Sequence, residues 1–289
     1  MKVHMIIDSH CHAWRYWPYL PTVPDPESHG VIEQLLDQMD LCGVDQATIT
    51  TAAIWRNWDN NDYIAAAVHR WPDRLHQWAD IDSFWSPAYQ RPGAAKRLEE
   101  AAKKWPMEGF TQYLAAEDDA SWFLSPDGMD FWRTASGLKL IASIACRPRH
   151  QPVLRKMAER FPDVPVLCHH MGSVSAHEPA PHPDLMNVLE SARLPNIYLK
   201  LSGFAYLQGP ERNWEYPYRD TLWVYKAAYE KFGPRMCWGS DYPPLLSYMT
   251  YRQSLEAFRT HCDFVSAADK VAILGGTLKG LLDRARPVK

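Results

Sequence analysis

The chain has 289 residues, of which 46% are hydrophobic, and its formal net charge at pH 7 is −3. Charges this close to balance, without a long run of one sign, exclude the surface typical of proteins that bind nucleic acid or an anionic membrane. No apolar segment of the sequence is long enough to span a bilayer.

The first residues are too few and too polar to form a signal peptide, and the six cysteines are scattered without a CxxC pair. We therefore expect a cytoplasmic protein with reduced thiols. Its expected partner is a small-molecule substrate rather than nucleic acid or a membrane. The sequence is equally compatible with a monomer and with a homo-oligomer.

Short apolar runs of β type alternate with helical patterns along the whole chain. Eight strands are predicted, at residues 3–8, 46–51, 75–81, 108–114, 139–146, 164–170, 196–202 and 235–241. Periodicity near 3.6 residues predicts helices between them, for example over 30–43, 92–105 and 152–161, and a last helix over about 267–285.

This alternation predicts an α/β fold, a (β/α)₈ TIM barrel, built as a single domain over residues 1–289. A doubly wound open sheet is the rival architecture. That fold places a glycine-rich phosphate loop after its first strand, where this chain has DSHCHAW. The barrel is therefore the better prediction.

The first predicted strand runs into an unusual group of ionisable residues. Because alternate side chains of a strand share one face, Asp8, His10 and His12 are expected to point the same way. Ionisable groups on a buried face are costly unless they have partners. They are therefore satisfied by hydrogen bonds, or they hold a ligand.

Other strands also end in residues that can carry chemistry, namely Arg147, His170, Lys200 and Asp241. The first and eighth strands of a closed barrel are neighbours, so Asp241 is expected beside His10 and His12. With His170 added, this set suits one divalent metal ion, Zn²⁺ best of all. Without metal, Asp241 would act as general base and the imidazoles would polarise a carbonyl. Both mechanisms stay open.

Strand alternation separates the two histidines that end strand six. We expect His170 to point inward with Cys168 and Val166, and His169 to point outward toward the helices. Lys200 is interpreted as a positive charge that supports or binds within the site. Arg147 is interpreted as an anchor for a substrate anion or as the partner of a nearby carboxylate.

The chain is rich in aromatic residues, with 13 tryptophans and 14 tyrosines. Trp14 and Trp55, followed by Trp58 and Trp85, come just after the first three predicted strands. They are expected to wall a pocket for a flat or apolar substrate, or else to serve as ordinary packing.

Several motifs together resemble one known family. IDSHCHAW with WPYL, EGFTQYL, GLKLIASIACRPRH, VPVLCHHMG, YLKLSGF, WGSDYP and ILGGTLKGLL follow one another along nearly the whole chain. They are similar, in that order, to motifs of the amidohydrolase-related, metal-dependent hydrolases. The similar branch contains 2-pyrone-4,6-dicarboxylate lactonase and L-fuconolactonase.

The resemblance implies a TIM-barrel hydrolase that opens lactones or related esters. It implies that His10, His12 and His170 polarise the carbonyl, that Asp241 activates water, and that Arg147 binds a substrate carboxylate. Some members of the family hold zinc at these positions and others need no metal.

The chain departs from the family pattern at two positions. His169 stands where an acidic residue is common, and Gln112 stands where an arginine is usual. One anchor for a dicarboxylate is therefore missing. We predict a lactone or ester hydrolase, with two alternatives: a metal-dependent decarboxylase of an aromatic or unsaturated acid, and a non-catalytic barrel that acts as a binding protein.

Overall fold

A computed structural model describes residues 4–209 and 215–285. Eight parallel strands follow one another around a single sheet in chain order. The strands are β1 (Ile7–Cys11), β2 (Gln46–Thr50), β3 (Leu75–Asp80), β4 (Met107–Tyr113), β5 (Ile141–Ala145), β6 (Val166–Cys168), β7 (Ile197–Leu201) and β8 (Met236–Trp238).

The sheet closes where the residues after β8 meet the end of β1. Cys11 and Tyr242 form an isolated parallel bridge. The backbone N–H of Asp241 donates to the carbonyl of His10 at 2.7 Å, and that of His12 donates to the carbonyl of Tyr242 at 2.6 Å. The predicted (β/α)₈ barrel is thus confirmed, and its closure joins the two segments that carry the predicted site.

Helices cover the outside of the sheet. They are α1 (Ile32–Cys42), α2 (Asn60–Arg70), α3 (Ala94–Lys104), α4 (Pro126–Gly137), α5 (Gln151–Arg160), α6 (Pro183–Glu190), α7 (Leu222–Phe232), α8 (Tyr251–Arg259), α9 (Ala267–Val271) and α10 (Thr277–Leu282). Apolar residues at helical spacing bury one face of each long helix; in α3, for example, Leu98, Ala101 and Ala102 are buried. No helix in the described ranges is long and apolar enough to cross a membrane.

The predicted C-terminal helix over about 267–285 is interrupted. A π-helical turn, Ala272–Gly276, separates α9 from α10. At Gly275 an added Cβ would overlap the carbonyl group of Met5, so the chain approaches the segment before β1 more closely than any side chain would allow. This contact seats the last helices across the start of the barrel.

The described buried apolar residues form three clusters. The largest lies between the strands and the surrounding helices, a second, inner cluster fills the barrel near the start of the strands, and a third, made of Trp14, Trp17 and Ala52, lies after β1 and β2. That inner cluster consists of Ile7, Trp78, Ile141, Leu167 and Cys237, together with Leu278, Leu281 and Leu282 of α10. Because apolar side chains plug this end of the barrel, polar chemistry is left to the opposite end, where the strands finish.

Candidate active site

A β-bulge in β1 sets the direction in which the side chains of His10 and His12 point. Asp8 pairs with Ala47 of β2 but Cys11 pairs with Ile49, so β1 contains one residue more than β2 over this stretch. The extra residue reverses the alternation. Asp8 therefore does not share a face with His10, contrary to the prediction: its carboxylate accepts from the Tyr251 hydroxyl of α8 at 2.9 Å and from the Ser240 N–H at 2.9 Å.

His10, His12 and Asp241 meet at the end of the barrel. The Nε2 atoms of His10 and His12 each lie 3.3 Å from Asp241 Oδ1, and all three residues are almost completely buried. His12 Nδ1 lies 2.6 Å from the carbonyl oxygen of Thr50 and donates to it, since a carbonyl can only accept. In neutral His12 the lone pair is consequently on Nε2, which faces Asp241.

Asp241 keeps its negative charge in this position. Burial alone raises the pKa of the carboxyl group. The neighbouring imidazoles of His170 and His12, together with the hydrogen bond from the hydroxyl of Tyr206, outweigh burial and lower the pKa below the ordinary value. Its backbone has φ = 63°, a left-handed conformation that aspartate adopts more easily than most residues. The carboxylate is thus ionised at neutral pH.

Lys200 lies behind His10, deep in the barrel. Its Nζ is 3.0 Å from His10 Nδ1, 2.7 Å from Ser143 Oγ and 3.2 Å from Thr50 Oγ1. The side chain is fully buried over the ring of Trp78, and burial lowers the pKa of Lys200 well below its usual value. Nζ can donate to both hydroxyls, while either Nζ or His10 Nδ1 can carry the proton of their shared hydrogen bond.

The hydrogen bond with Lys200 bears on the tautomer of His10. In the tautomer in which His10 Nδ1–H donates to the Lys200 amine, the lone pair of His10 lies on Nε2, facing Asp241. Burial also lowers the pKa of His10 well below its usual value, so the ring stays neutral. Nε2 of His10 is buried and has no hydrogen-bond partner among the described residues.

The two histidines after β6 both face the barrel mouth. Val166 and Cys168 pack in the outer core and Leu167 in the inner cluster, so strand alternation turns His169 inward rather than outward. His169 is fully buried, with Nε2 2.7 Å from Ser143 Oγ and its ring 4.5 Å from that of His10.

His170 reaches the site because the strand ends before it. Residues 170–173 all have positive φ, from 44° to 70°, and this tight left-handed turn redirects the chain. Nε2 of His170 then lies 4.0 Å from Asp241 Oδ1, while Nδ1 lies 2.9 Å from the hydroxyl of Ser202. His170 is thus brought to Asp241, although by a turn and not by alternation with Cys168 and Val166.

The donor set fits a divalent metal ion. One ligand atom from each of His10, His12 and Asp241 lies within 4.8 Å of the others. The same holds for His10, His169 and His170. Two imidazoles whose Nε2 atoms face one point, one ionised carboxylate and an open side toward the cavity are what zinc sites in hydrolases require.

A cavity of ≈ 490 Å³ opens above these residues. His12, His170, Asp241 and Tyr206 lie at its floor. The walls come from the loop after β1 and the segment after β8, together with the last residue of β4: Trp17, Tyr19, Leu20, Pro21, Thr22, Val23, Pro24, His29, Tyr113, Pro244, Leu246, Ser247 and Tyr248.

Other residues singled out in the sequence lie outside this lining. Arg147 follows β5 and its side chain is exposed. Trp14 is buried behind His12, with ring centroids 4.9 Å apart, and Trp55 is 49% exposed. Trp58 and Trp85 contribute to a separate cavity between α2 and α3. The aromatic wall of the cavity is made by Trp17 and by tyrosines instead.

Sequence reasoning missed Tyr206 and Tyr113. Tyr206 follows YLKLSG, and Gly203 there has φ = 70° with no room for a Cβ beside the ring of Tyr206. The tyrosine hydroxyl donates to Asp241 Oδ2. A glycine three residues before a tyrosine at a strand end was the available signal. Tyr113 ends β4 and would have been found from strand position alone.

Comparisons with known proteins identify the family of the chain. The amidohydrolase family profile matches residues 7–277. A comparison with curated protein sequences found no match.

Solved structures share the fold at low sequence identity. An amidohydrolase from Burkholderia multivorans with bound zinc superposes with TM-score 0.76 at 21% identity, covering 96% of this chain and 99% of that one. A protein from Acinetobacter baumannii, provisionally named as a 2-pyrone-4,6-dicarboxylic acid hydrolase and holding citric acid, gives TM-score 0.74 at 19% identity, covering 96% and 99%.

A third solved structure is a decarboxylase. The 5-carboxyvanillate decarboxylase of Sphingomonas paucimobilis gives TM-score 0.66 at 15% identity, covering 97% of this chain and 99% of that one. Likeness at such identities shows the fold alone. The family profile spans most of the sequence, however, and the chain therefore belongs to the amidohydrolase family.

Proposed function

We propose that the protein is a hydrolase that opens a lactone or a related carboxylic ester. The observation that carries this proposal is Asp241, whose Oδ1 lies 3.3 Å from Nε2 of both His10 and His12 at the floor of a cavity. An ionised carboxylate beside imidazoles can accept a proton from water while the imidazoles face the electrophile.

In the proposed reaction Asp241 takes one proton from a water molecule while the oxygen of that water attacks the carbonyl carbon. Nε2 of His170, 4.0 Å from Asp241 Oδ1, faces the developing oxyanion. Collapse of the tetrahedral intermediate breaks the bond to the ring oxygen, which takes the proton from Asp241. The product is a hydroxy acid. Tyr206 holds the second carboxylate oxygen of Asp241 in place.

A divalent ion is the proposed cofactor, with Zn²⁺ the best match to the donor set of His10, His12, Asp241 and His170. Bound there, such an ion would polarise the carbonyl and lower the pKa of water. Lys200 and Thr50 keep the Nε2 atoms of His10 and His12 directed toward this position.

The experiment uses purified protein from zinc-supplemented medium, with its metal content measured. A panel of lactones and esters is followed by acid release, and aromatic acids are followed by carbon dioxide release. In ¹⁸O water we expect one labelled oxygen in each hydroxy acid product. Release of carbon dioxide from an aromatic acid, with no ester opened, would instead identify a decarboxylase.

A further inference from the structure

The described part of the chain places no lysine or arginine in the lining of the cavity above Asp241. Burial lowers the pKa of His29, the histidine on the wall, so its ring is neutral near pH 7. A carboxylate placed against this wall would lose its hydration and gain no ion pair in return.

The two cations that the sequence analysis assigned to the site, Lys200 and Arg147, are positioned elsewhere. Lys200 is fully buried below His10, and its three hydrogen-bond partners are all protein atoms. Arg147 is exposed and does not line the cavity. Gln112 is buried, and its amide nitrogen lies 3.4 Å from the carbonyl of Asp82.

The wall is largely apolar and aromatic. The loop after β1 contributes Trp17, Leu20 and Val23, and the segment after β8 contributes Leu246. A polyhydroxylated substrate would leave several hydroxyl groups unpaired against these side chains, at a cost for each.

We propose that the cavity selects an uncharged, apolar acyl compound, an aryl or alkyl lactone or ester, over a carboxylated or polyhydroxylated one. This inference rests on the proposed function for the reaction, but it concerns the part of the substrate that does not react.

The first test measures binding, so that it is independent of turnover. The probes are 3,4-dihydro-2-quinolinone, a lactam that resists hydrolysis, and the same ring carrying a carboxylate, titrated by calorimetry at pH 7. We expect the neutral lactam to bind at least about tenfold tighter. Equal or tighter binding of the carboxylated lactam, or no binding of the neutral one, would overturn the inference.

A charge placed on the wall should reverse the preference. Leu246→Arg puts a cation into the lining and should favour the carboxylated lactam by about tenfold or more. Val23→Lys serves the same purpose from the opposite loop, should Leu246→Arg fail to fold. Leu41→Arg is the matched control, since Leu41 is 76% exposed on α1, and it should leave the preference unchanged. An unchanged preference in both wall variants counts against the inference.

Turnover then separates this inference from the proposed function. With 3,4-dihydrocoumarin and its carboxylated form as lactone substrates, we expect kcat/KM to favour the neutral ring by about tenfold or more. If the neutral lactam binds preferentially but no lactone or ester is opened, the inference about the cavity stands and the proposed hydrolase activity fails.

Discussion

Asp241 is the residue on which the proposed chemistry depends. Asp241→Asn keeps the shape and the hydrogen bond with Tyr206 but removes the basicity. We expect turnover to fall by about 10²–10⁴-fold, the usual cost of losing a positioned general base, while substrate affinity changes little. The measurement is kcat beside the dissociation constant of the neutral lactam.

Asp73→Asn is the matched control for this substitution, because Asp73 is exposed between α2 and β3. Its turnover should equal that of the wild type. If Asp241→Asn keeps more than about a tenth of the wild-type turnover, well above the activity that remains after loss of a general base, another group takes the proton. His170 would be the next candidate.

Lys200 acts on the site through His10. Lys200→Met keeps much of the volume but leaves His10 Nδ1 and the hydroxyls of Ser143 and Thr50 without the amine that joins them. Loss of such a supporting group typically weakens metal binding by about 10–100-fold. We expect a loss of that size in zinc affinity, measured by competition with a chromophoric chelator.

The control for Lys200→Met is Lys96→Met, since Lys96 is exposed on α3. That variant should bind zinc as the wild type does. Wild-type zinc affinity in Lys200→Met would show that the amine does not orient His10, and fluorescence and circular dichroism would show whether the barrel is intact.

At the level of elements, the contact between β1 and the end of β8 brings the site together. Gly239 follows β8, and an added Cβ would lie 2.7 Å from His10 Cβ and 2.9 Å from His10 N. Gly239→Ala must therefore push the two segments apart. We expect a loss of about 1–3 kcal/mol in the free energy of unfolding, as in other overpacked sites, together with a fall in activity.

A second glycine gives the matched control. Gly280 lies in α10, where an added Cβ meets nothing within 4 Å. Gly280→Ala should raise the free energy of unfolding by about 0.5–1 kcal/mol, because alanine is the better helix former. Denaturant unfolding measures both variants. Wild-type stability in Gly239→Ala would mean that β1 and the segment after β8 can move apart without a loss in the free energy of unfolding.

The eight strands could be predicted from sequence because each is a short apolar run with its own turn signals, and closure follows from their number. Local irregularities could not. The direction of Asp8 depends on the bulge in β1, and the position of His170 depends on the left-handed turn at 170–173, and neither irregularity has a signal in the hydrophobic pattern. His169 follows strand alternation, but the sequence does not show which face Val166 and Cys168 occupy. The walls of the cavity come from loops, and loop sequences have no hydrophobic periodicity from which the direction of a side chain could be predicted.

In the whole molecule, the apolar packing that stabilises the barrel and the polar residues of the candidate site lie at opposite ends. The apolar cluster around Trp78 and α10 fills one end, while polar groups occupy the other. The polar end contains carboxylates that are costly to bury. Burial raises the pKa of Asp8 to about 6 and that of Asp80 to about 6, in spite of hydrogen bonds that each carboxylate accepts.

These raised values predict how stability changes with pH. Asp80 binds a proton more tightly when folded than when unfolded, where its pKa is near 3.8. Its contribution to stability is therefore fully present below about pH 4 and is lost as the pH rises through about 6. The difference between about 6 and 3.8 corresponds to roughly 3 kcal/mol for a fully buried group.

Asp80→Asn isolates this contribution. The amide can still accept from the Ala53 N–H and the Trp85 indole, and it can donate to the Ser83 hydroxyl. We expect the wild type to lose stability relative to Asp80→Asn as the pH rises from 4 to 7, by up to roughly 3 kcal/mol. Urea unfolding at several pH values measures the difference, with Asp73→Asn as the exposed control. A difference that does not vary with pH would mean that Asp80 has the same pKa in the folded and unfolded chain, and that its hydrogen bonds fully offset the cost of burial.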